Sequence, residues 1–547
     1  MLNSADDRTE DSFVAANADP FVARNARDST RFARFDTIRR VTRLNEVDEV
    51  RSRAASVRLP AALAIVIGMT AAEILRQGAF FAKDAFGVAV VSGGLIVFEL
   101  AAGVDRRARR VALAIGVCAL WWWVAAVAHG QGKAFLPLGA SMLGFLAGFL
   151  VVRRLDEDQR MWAATAIATI GAAAAAIGLE ASVTRHFPLA MPAQNLWRLS
   201  TTLTYADAAG LLVGIALLVG VSLDQHRWLA RVDVYLCAAA LVATQSRGAA
   251  LAVVAGAFLV PLTTARAALR ALLVGIASGL VVVATSSGPD KHPVAGVAVL
   301  AGLVVAVVVR PPATFRRVTI SRRALVRTTL AFAVCAIVAF IALRTPIQRR
   351  VELSSTNDRV VEWTAAFKQW WSSPITGTGP DKILRFHAKQ GTYAHFAHNE
   401  YLQVAAGSGA VGFVLLLLAI AAVAAALRRD DALRSCACGA LVAFVFAGLL
   451  DFDWHLSALG IVAGCVAGLA AAREGVTPPR APPADAVAPP RVVRAPAPPA
   501  DAVAPPRVVP APAPHTAVEV AVAEPTVETW TSRWRLYVAM PPADRER

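Results

Sequence analysis

Residues 405–427 read AAGSGAVGFVLLLLAIAAVAAAL and contain no charged side chain. About 20 mostly apolar residues allow a helix to cross the roughly 30 Å hydrocarbon core of a bilayer, and helices satisfy their own backbone hydrogen bonds in lipid. The pattern therefore predicts an all-α polytopic membrane protein with about 14 transmembrane helices, within a range of about 12–14. The other predicted spans lie near 60–76, 86–104, 111–128, 134–152, 161–179, 205–223, 232–244, 249–264, 268–285, 293–309, 327–343, 433–450 and 457–471.

The charged residues fit a membrane protein better than a nucleic-acid-binding protein. The chain is 56% hydrophobic and carries a net charge of +16, but its arginines gather in short clusters between apolar segments. Counting the predicted helices places every cluster on the same side, which the positive-inside tendency assigns to the cytoplasm. Both termini are then predicted to be cytoplasmic. The clusters lie at Asp105–Arg110, Arg153–Arg160, Asp224–Arg231, Arg266–Arg270, Arg316–Arg327 and Arg428–Arg434.

Three regions follow from this pattern. Residues 1–58 are polar and form a predicted cytoplasmic N-terminal tail, and residues 59–473 form the transmembrane domain, with a long outer loop at 345–399. Residues 474–547 form a Pro/Ala-rich cytoplasmic tail in which one thirteen-residue sequence occurs at 481–493 and again at 497–509. Sequences of this composition bury too little apolar surface to fold, so both tails are predicted to be disordered.

The six cysteines all lie in or beside apolar segments. No Cys-x-x-Cys pair is present, and Cys436 and Cys438 provide the nearest approach to one. We therefore expect buried small side chains in place of a disulfide framework or a metal site.

The outer loop 345–399 carries a first candidate site residue, Arg359. A guanidinium group binds phosphate with a planar fork of donors, although Arg359 could equally be a solvated loop arginine paired with Asp358 or Glu362. Aromatic residues recur at helical spacing from Trp363 onward, which predicts an amphipathic helix at 358–371 lying on the membrane.

Two further candidates are Arg247 and His398. Arg247 follows a short apolar segment, so it would either meet an anionic ligand or extend to lipid head groups as an anchor. The His398 imidazole could accept a proton from a hydroxyl near neutral pH, or it could simply bond a loop carbonyl. Asn399 is placed to cap the next helix, and Tyr401 fits an interfacial aromatic residue.

Together these motifs resemble the O-antigen ligase/polymerase superfamily of bacterial inner membranes. The resemblance rests on His398-Asn-Glu-Tyr-Leu-Gln403, on Arg359-x-x-x-Trp363, on Pro374-x-x-Gly377-x-Gly379 and on Thr244-Gln-Ser-Arg247-Gly248. It covers residues 195–425 by motif and the whole helical region by architecture.

The resemblance implies a metal-independent glycosyltransferase without a cofactor. It would transfer a glycan from undecaprenyl pyrophosphate to an acceptor hydroxyl at the periplasmic face, in assembly of lipopolysaccharide or another surface polysaccharide. Arg247 and Arg359 would bind the pyrophosphate and His398 would be the catalytic residue, with Asn399, Tyr401 and Trp363 as possible support. The implied partners are the lipid-linked donor, membrane lipids and a glycan, lipid A–core or protein acceptor.

Other functions stay open at this point. Within the superfamily, a polysaccharide polymerase or a protein O-oligosaccharyltransferase would share these motifs. From another class, a multi-pass solute transporter would also contain many apolar helices, but it would place its ionisable residues near the bilayer midplane.

Overall fold

The computed structural model describes residues 58–193, 196–287, 291, 293–308, 356–380, 384–385, 393–394 and 396–471. Most of these residues are helical. Both predicted tails and the predicted span at 327–343 lie outside the described residues. The helices are α1 (Arg58–Leu75), α2 (Ala82–Ala101), α3 (Arg106–Ala128), α4 (Leu136–Val152), α5 (Glu157–Thr184), α6 (Ala206–Val221), α7 (Trp228–Ala243), α8 (Arg247–Ala257), α9 (Leu262–Ala284), α10 (Pro293–Val308), α11 (Thr356–Ser372), α12 (Glu400–Ala426), α13 (Ala432–Ala447) and α14 (Ser457–Ala470).

Seven of the described helical segments are long and apolar enough to cross a membrane, namely α1, α2, α3, α5, α9, α12 and the segment Gly132–Val152 that ends with α4. Helices α6, α8, α10, α13 and α14 are shorter but also apolar. Every predicted span that falls on described residues overlaps a helix. The polytopic helical architecture is therefore supported, whereas the total of about 14 spans stays a prediction.

The bundle is held together by small residues that let helix backbones approach closely. Helices α4 and α14 illustrate this packing: a Cβ atom built on Gly148 would lie 2.9 Å from the Cys465 nitrogen, so only glycine fits there. The five described cysteines are free and buried, and their burial is as expected. Cys335 lies outside the described residues.

Arginine-rich connections meet at one end of the bundle. Arg153 after α4 pairs with Asp105 before α3, and Arg160 on α5 donates to the carbonyl of Ala471 after α14. The candidate site residues lie at the opposite end, where α11 and α12 meet the α13–α14 connection. Which end faces the cytoplasm stays a prediction.

The prediction of an all-α chain missed two short β-hairpins. Strand β1 (Ala190–Ala193) pairs antiparallel with β2 (Leu196–Leu199), and β3 (Leu384–Arg385) pairs antiparallel with β4 (Tyr393–Ala394). Strands this short show no apolar alternation that would separate them from loop. The first hairpin is fixed by a tertiary contact, because the Trp197 N–H donates to the carbonyl of Ser286 after α9 at 2.9 Å.

Candidate functional site

His398 lies in the connection that precedes α12 and faces α11. Its Nδ1 atom is 2.8 Å from Oε2 of Glu362, and the backbone at His398 has a positive φ of 46°. The imidazole is 28% exposed, whereas the Glu362 side chain is only 9% exposed. Glu362 therefore fixes one ring nitrogen, and no partner for Nε2 is found within the described ranges.

The protonation of His398 depends on this contact. Burial of the imidazole opposes the charged form, but the hydrogen bond to Glu362 and the negative charges of Asp451 and Glu362 outweigh it. The pKa of His398 is consequently raised above its usual value. A histidine in this setting is a stronger base, although it also stays protonated to a higher pH.

Three successive carbonyls at the end of α13 accept hydrogen bonds from the region around α11 and α12. The backbone N–H of Glu400 donates a hydrogen bond to the carbonyl of Gly448 at 2.7 Å. The side-chain Nδ2 of Asn399 donates to the carbonyl of Leu449 at 2.9 Å. The guanidinium of Arg359 donates to the carbonyl of Leu450 at 2.8 Å. The last carbonyls of a helix have no partner within the helix itself. These donors therefore fix the α13–α14 connection against the candidate site.

Asn399 also confirms its predicted capping role. Its Oδ1 accepts a hydrogen bond from the Leu402 N–H at 3.0 Å, which satisfies one of the free donors at the start of α12. Tyr401 donates to the carbonyl of Val445 at 3.0 Å and packs edge-on against Trp454. Both side chains thus join α12 to the α13–α14 region.

Arg359 pairs with an acid that the sequence did not suggest, Asp451. Its guanidinium lies 3.5 Å from Asp451, 92 residues away, whereas Glu362 is used by His398. The Arg359 side chain is 32% exposed and the Asp451 side chain only 6%. The guanidinium therefore has one side tied to the protein and another side open to an anion.

Asp451 is a site residue that sequence reasoning missed. It accepts hydrogen bonds from the Tyr205 hydroxyl at 2.8 Å and from the Phe452 N–H at 2.9 Å. Burial, together with the nearby charge of Asp207, raises the pKa of Asp451 to about 6. No local pattern marks this carboxylate, because its side-chain partners Tyr205 and Arg359 come from distant parts of the chain.

Arg247 is the first residue of α8 and is exposed. No ion pair or hydrogen bond of its side chain is found in the described part of the chain. Its neighbour Ser246 caps α8 by accepting from the Ala249 N–H at 3.1 Å. Gly248 lies against the α13–α14 connection, since a Cβ built there would be 3.4 Å from the Leu450 Cβ. Gly248, the residue after Arg247, therefore approaches the same residue whose carbonyl binds Arg359.

The turn before Arg247 is held by a second ion pair. Arg198 on β2 is 3.0 Å from Asp207, and its Nε donates to the carbonyl of Thr244 at 3.0 Å. Asp207 in turn bonds the Ser246 side chain. This ion pair, which the sequence did not reveal, couples the first hairpin to the start of α8.

A buried histidine–glutamate pair lies beneath the surface site. Nδ1 of His455 is 3.1 Å from Oε1 of Glu400, and the same carboxylate oxygen accepts from the Trp454 N–H at 2.8 Å. Burial opposes protonation of His455, but Glu400 outweighs it and raises the pKa of His455. Both side chains are nearly inaccessible, at 8% and 0% exposure, so the pair positions the connection and does not meet a ligand directly.

Aromatic rings form a wall beside His398. The ring of Phe452 stacks on the rings of Phe396 and Tyr205, with centroid distances of 4.4 Å and 5.2 Å. The imidazole of His398 packs edge-on against Phe452 with a centroid distance of 5.2 Å. Trp363, a predicted supporting residue, is half-buried on α11. Its buried indole N–H has no acceptor among the described residues, and its supporting role stays a prediction.

Glycines at positive φ bring the loop after α11 onto α12. Gly377 has a φ of 73°, and a Cβ there would collide with the Gly407 backbone. Gly409 has a φ of 72° and a ψ of −174° inside α12, and a Cβ there would collide with the carbonyl of Ile375. Only glycine can therefore adopt the backbone conformation at this break in α12, and the break leaves room for residues 374–380 to pack against the helix.

Residues 293–417 match the protein-family model described as O-antigen ligase. This segment is similar to the O-antigen ligase family. The match confirms the predicted resemblance to the O-antigen ligase/polymerase superfamily, and it includes Arg359 and His398 but ends before Asp451. Search of the curated proteins finds no match.

The match has general implications for the segment that it covers. The family acts as a ligase- or polymerase-like glycosyltransferase, with a lipid-linked glycan as donor and a polysaccharide as acceptor. The apolar helices agree with a multi-pass bacterial membrane protein. The candidate site also includes residues outside the matched segment 293–417. Leu450 and Asp451, which bind Arg359, lie C-terminal to this segment, and Arg247 lies N-terminal to it.

Proposed function

We propose that this protein is a metal-independent glycosyltransferase that moves a glycan from undecaprenyl pyrophosphate to an acceptor hydroxyl at the periplasmic face of the bacterial inner membrane. The proposal rests on two residues within the segment that matches the O-antigen ligase model: His398, which is paired with Glu362, and Arg359, which is partly exposed. No cofactor is needed for such a transfer, because the lipid pyrophosphate is itself an activated leaving group.

The chemical step is a substitution at the anomeric carbon of the donor sugar. The acceptor oxygen forms a bond to this carbon while the bond to the pyrophosphate oxygen breaks. The acceptor hydroxyl loses its proton to Nε2 of His398, because Nδ1 is already held by Glu362. The undecaprenyl pyrophosphate then leaves with its additional negative charge.

Arg359 and Arg247 stabilise that leaving group. Charge builds up on the pyrophosphate in the transition state, and fixed guanidinium groups stabilise it without reorganisation. The carbonyl of Leu450 and the Asp451 carboxylate hold Arg359 in place, while its exposed part faces the substrate. Arg247 is exposed at the start of α8 beside the same connection, which supports its role as the second phosphate ligand.

The acceptor decides the biological role. We favour an O-antigen ligase-like reaction in lipopolysaccharide or other surface polysaccharide assembly, with lipid A–core or another glycan as acceptor. A polymerase or a protein O-oligosaccharyltransferase would use the same chemistry. A strain without the protein distinguishes a ligase from a polymerase. Undecaprenyl-linked long chains would accumulate after loss of a ligase, whereas single undecaprenyl-linked repeat units would accumulate after loss of a polymerase.

Three substitutions test the proposal. His398→Ala, Arg247→Ala and Arg359→Ala should each abolish glycan attachment or extension in a complementation assay, while membrane protein levels stay unchanged. His186→Ala and Arg76→Ala provide matched controls, because both residues are exposed and make no contact with the site. Normal glycan profiles in well-expressed variants at 398, 247 and 359 would contradict the assignment.

A further inference from the structure

A cavity of about 710 Å³ lies between α12 and α13, the two helices that follow one another after the candidate site. Consecutive helices often pack together, but here α12 packs on α3 whereas α13 packs on α8, α6 and α14. The space between α12 and α13 is left open as a result. Leu449 and Trp454 line the cavity near the candidate site, and Arg428 and Arg429 line it at the other end of α12.

The walls of this cavity suit a hydrocarbon chain. They consist almost entirely of aliphatic and aromatic side chains, among them Leu416, Ile420, Leu441 and Val445. An apolar cavity of this size does not hold ordered water well, since water needs polar partners. On α12 the lining begins at Leu416 and continues to Leu427 just after the helix, which corresponds to about 17 Å along a helix axis, enough for part of an acyl chain.

The two arginines give the cavity a charged mouth. Arg428 and Arg429 are both exposed, and neither side chain has an ion-pair partner among the described residues. Two acids neighbour these arginines in sequence, and both pair with Arg434, which is 2.5 Å from Asp430 and 3.4 Å from Asp431. The charge of Arg428 also contributes to lowering the pKa of Asp430, but no hydrogen bond or ion pair between the two side chains is found in the described part of the chain. The mouth therefore offers two guanidinium groups to an anion at the membrane surface opposite the candidate site.

We propose that this cavity binds an anionic phospholipid, with the phosphate on Arg428 and Arg429 and an acyl chain between α12 and α13. Lipid tails are as apolar as the cavity walls, so the selectivity comes from the head group. The charge of the mouth favours an anionic lipid over a zwitterionic one with the same chains. The site is independent of the proposed transfer reaction, because its phosphate end lies across the bundle from His398.

Native mass spectrometry of the full chain in detergent tests this proposal. The probes are phosphatidylglycerol and phosphatidylcholine with identical acyl chains. We expect the wild type to retain phosphatidylglycerol in preference to phosphatidylcholine. This preference should fall about 5-fold when either Arg428 or Arg429 is changed to alanine, and about 30-fold when both are changed. Arg109→Ala combined with Arg110→Ala is the control, because these exposed arginines at the start of α3 do not line the cavity.

A second variant tests the apolar part. Ala424 lines the cavity and is exposed, so Ala424→Trp fills the space without disturbing a buried contact, and it should reduce retention of both lipids. The assignment of the phosphate to Arg428 and Arg429 would be overturned by two results together. Ala424→Trp would reduce retention of both lipids, and the Arg428/Arg429 variant would keep the wild-type preference for phosphatidylglycerol. The cavity would then bind a lipid whose head group lies at the candidate site. Equal loss in the Arg109/Arg110 control, or no loss in any variant, would overturn the proposal as well.

Discussion

Glu362→Gln separates the charge of this residue from its shape. The glutamine side chain still reaches Nδ1 of His398 across the 2.8 Å contact, but it brings no negative charge. Burial of the imidazole, which disfavours its protonation, is unchanged. The pKa of His398 should therefore fall, because the main groups that raise it include the charge and the hydrogen bond of Glu362.

The size of the effect follows from the burial of the pair. A hydrogen bond to a charged group contributes about 1.5–3 kcal/mol, and Glu362 is only 9% exposed, so solvent screens this interaction weakly. At about 1.4 kcal/mol per factor of ten, its complete loss corresponds to about 10- to 150-fold in kcat/KM. Glutamine keeps part of the contact, so we expect about 10-fold for Glu362→Gln and about 100-fold for Glu362→Ala.

The assay is transfer from a purified lipid-linked donor, measured from pH 5 to pH 9. His398 acts as a base only when neutral, so wild-type activity should rise as the pH rises through its raised pKa. In Glu362→Gln this rise should move to lower pH while the plateau falls. Glu180→Gln, an exposed change on α5, is the matched control. A pH profile identical to wild type, with activity within about 2-fold, would refute the reasoning.

The same contact predicts a pH-dependent change in stability. Because the pKa of His398 is raised in the folded protein, the stabilisation is fully present below the unfolded pKa of about 6.5 and is lost as the pH rises through the folded value. Thermal unfolding should therefore separate wild type from Glu362→Gln most clearly at low pH. This readout does not depend on the transfer reaction, so it tests the contact even if the proposed function is wrong.

Two further predictions concern Arg359 and Gly409. Arg359→Lys keeps the charge but loses the planar fork, so kcat/KM should fall at least about 10-fold, whereas Arg76→Lys should leave it unchanged. Gly409→Ala places a side chain against Ile375 at a positive φ and should destabilise the protein by at least about 2 kcal/mol in thermal unfolding. Gly116→Ala, where a Cβ meets nothing within 4 Å, should be neutral or stabilising.

Features encoded by local sequence were predicted well. The amphipathic pattern at 358–371 corresponds to α11 at Thr356–Ser372, and Asn399 caps α12 as its side chain and position suggested. Apolar segments correspond to helices wherever the structure describes them. These features depend on side-chain periodicity and on groups within a few residues of one another, which a single sequence displays directly.

Partners from distant segments were not predicted. His398 meets Glu362 over 36 residues and Arg359 meets Asp451 over 92, and nothing in the spacing of these residues indicates their contact. From the sequence, Glu362 and Asp358 were the two acids considered as partners of Arg359. The fold instead turns Glu362 toward the start of α12 and leaves Arg359 for the α13–α14 connection. Such exchanges depend on how helices pack, which periodicity does not determine.

The carbonyls of Gly448, Leu449 and Leu450 explain why the site needs more than the matched segment 293–417. Each receives one donor from the region around α11 and α12, including the guanidinium of Arg359. Without this connection the three donors would lose their acceptors, and a buried donor left unsatisfied costs about 1–3 kcal/mol. Arg359 would also lose the Asp451 carboxylate that limits its orientation. The C-terminal helices therefore act as the support that aims the guanidinium, so changes in this connection should affect phosphate binding without touching the substrate.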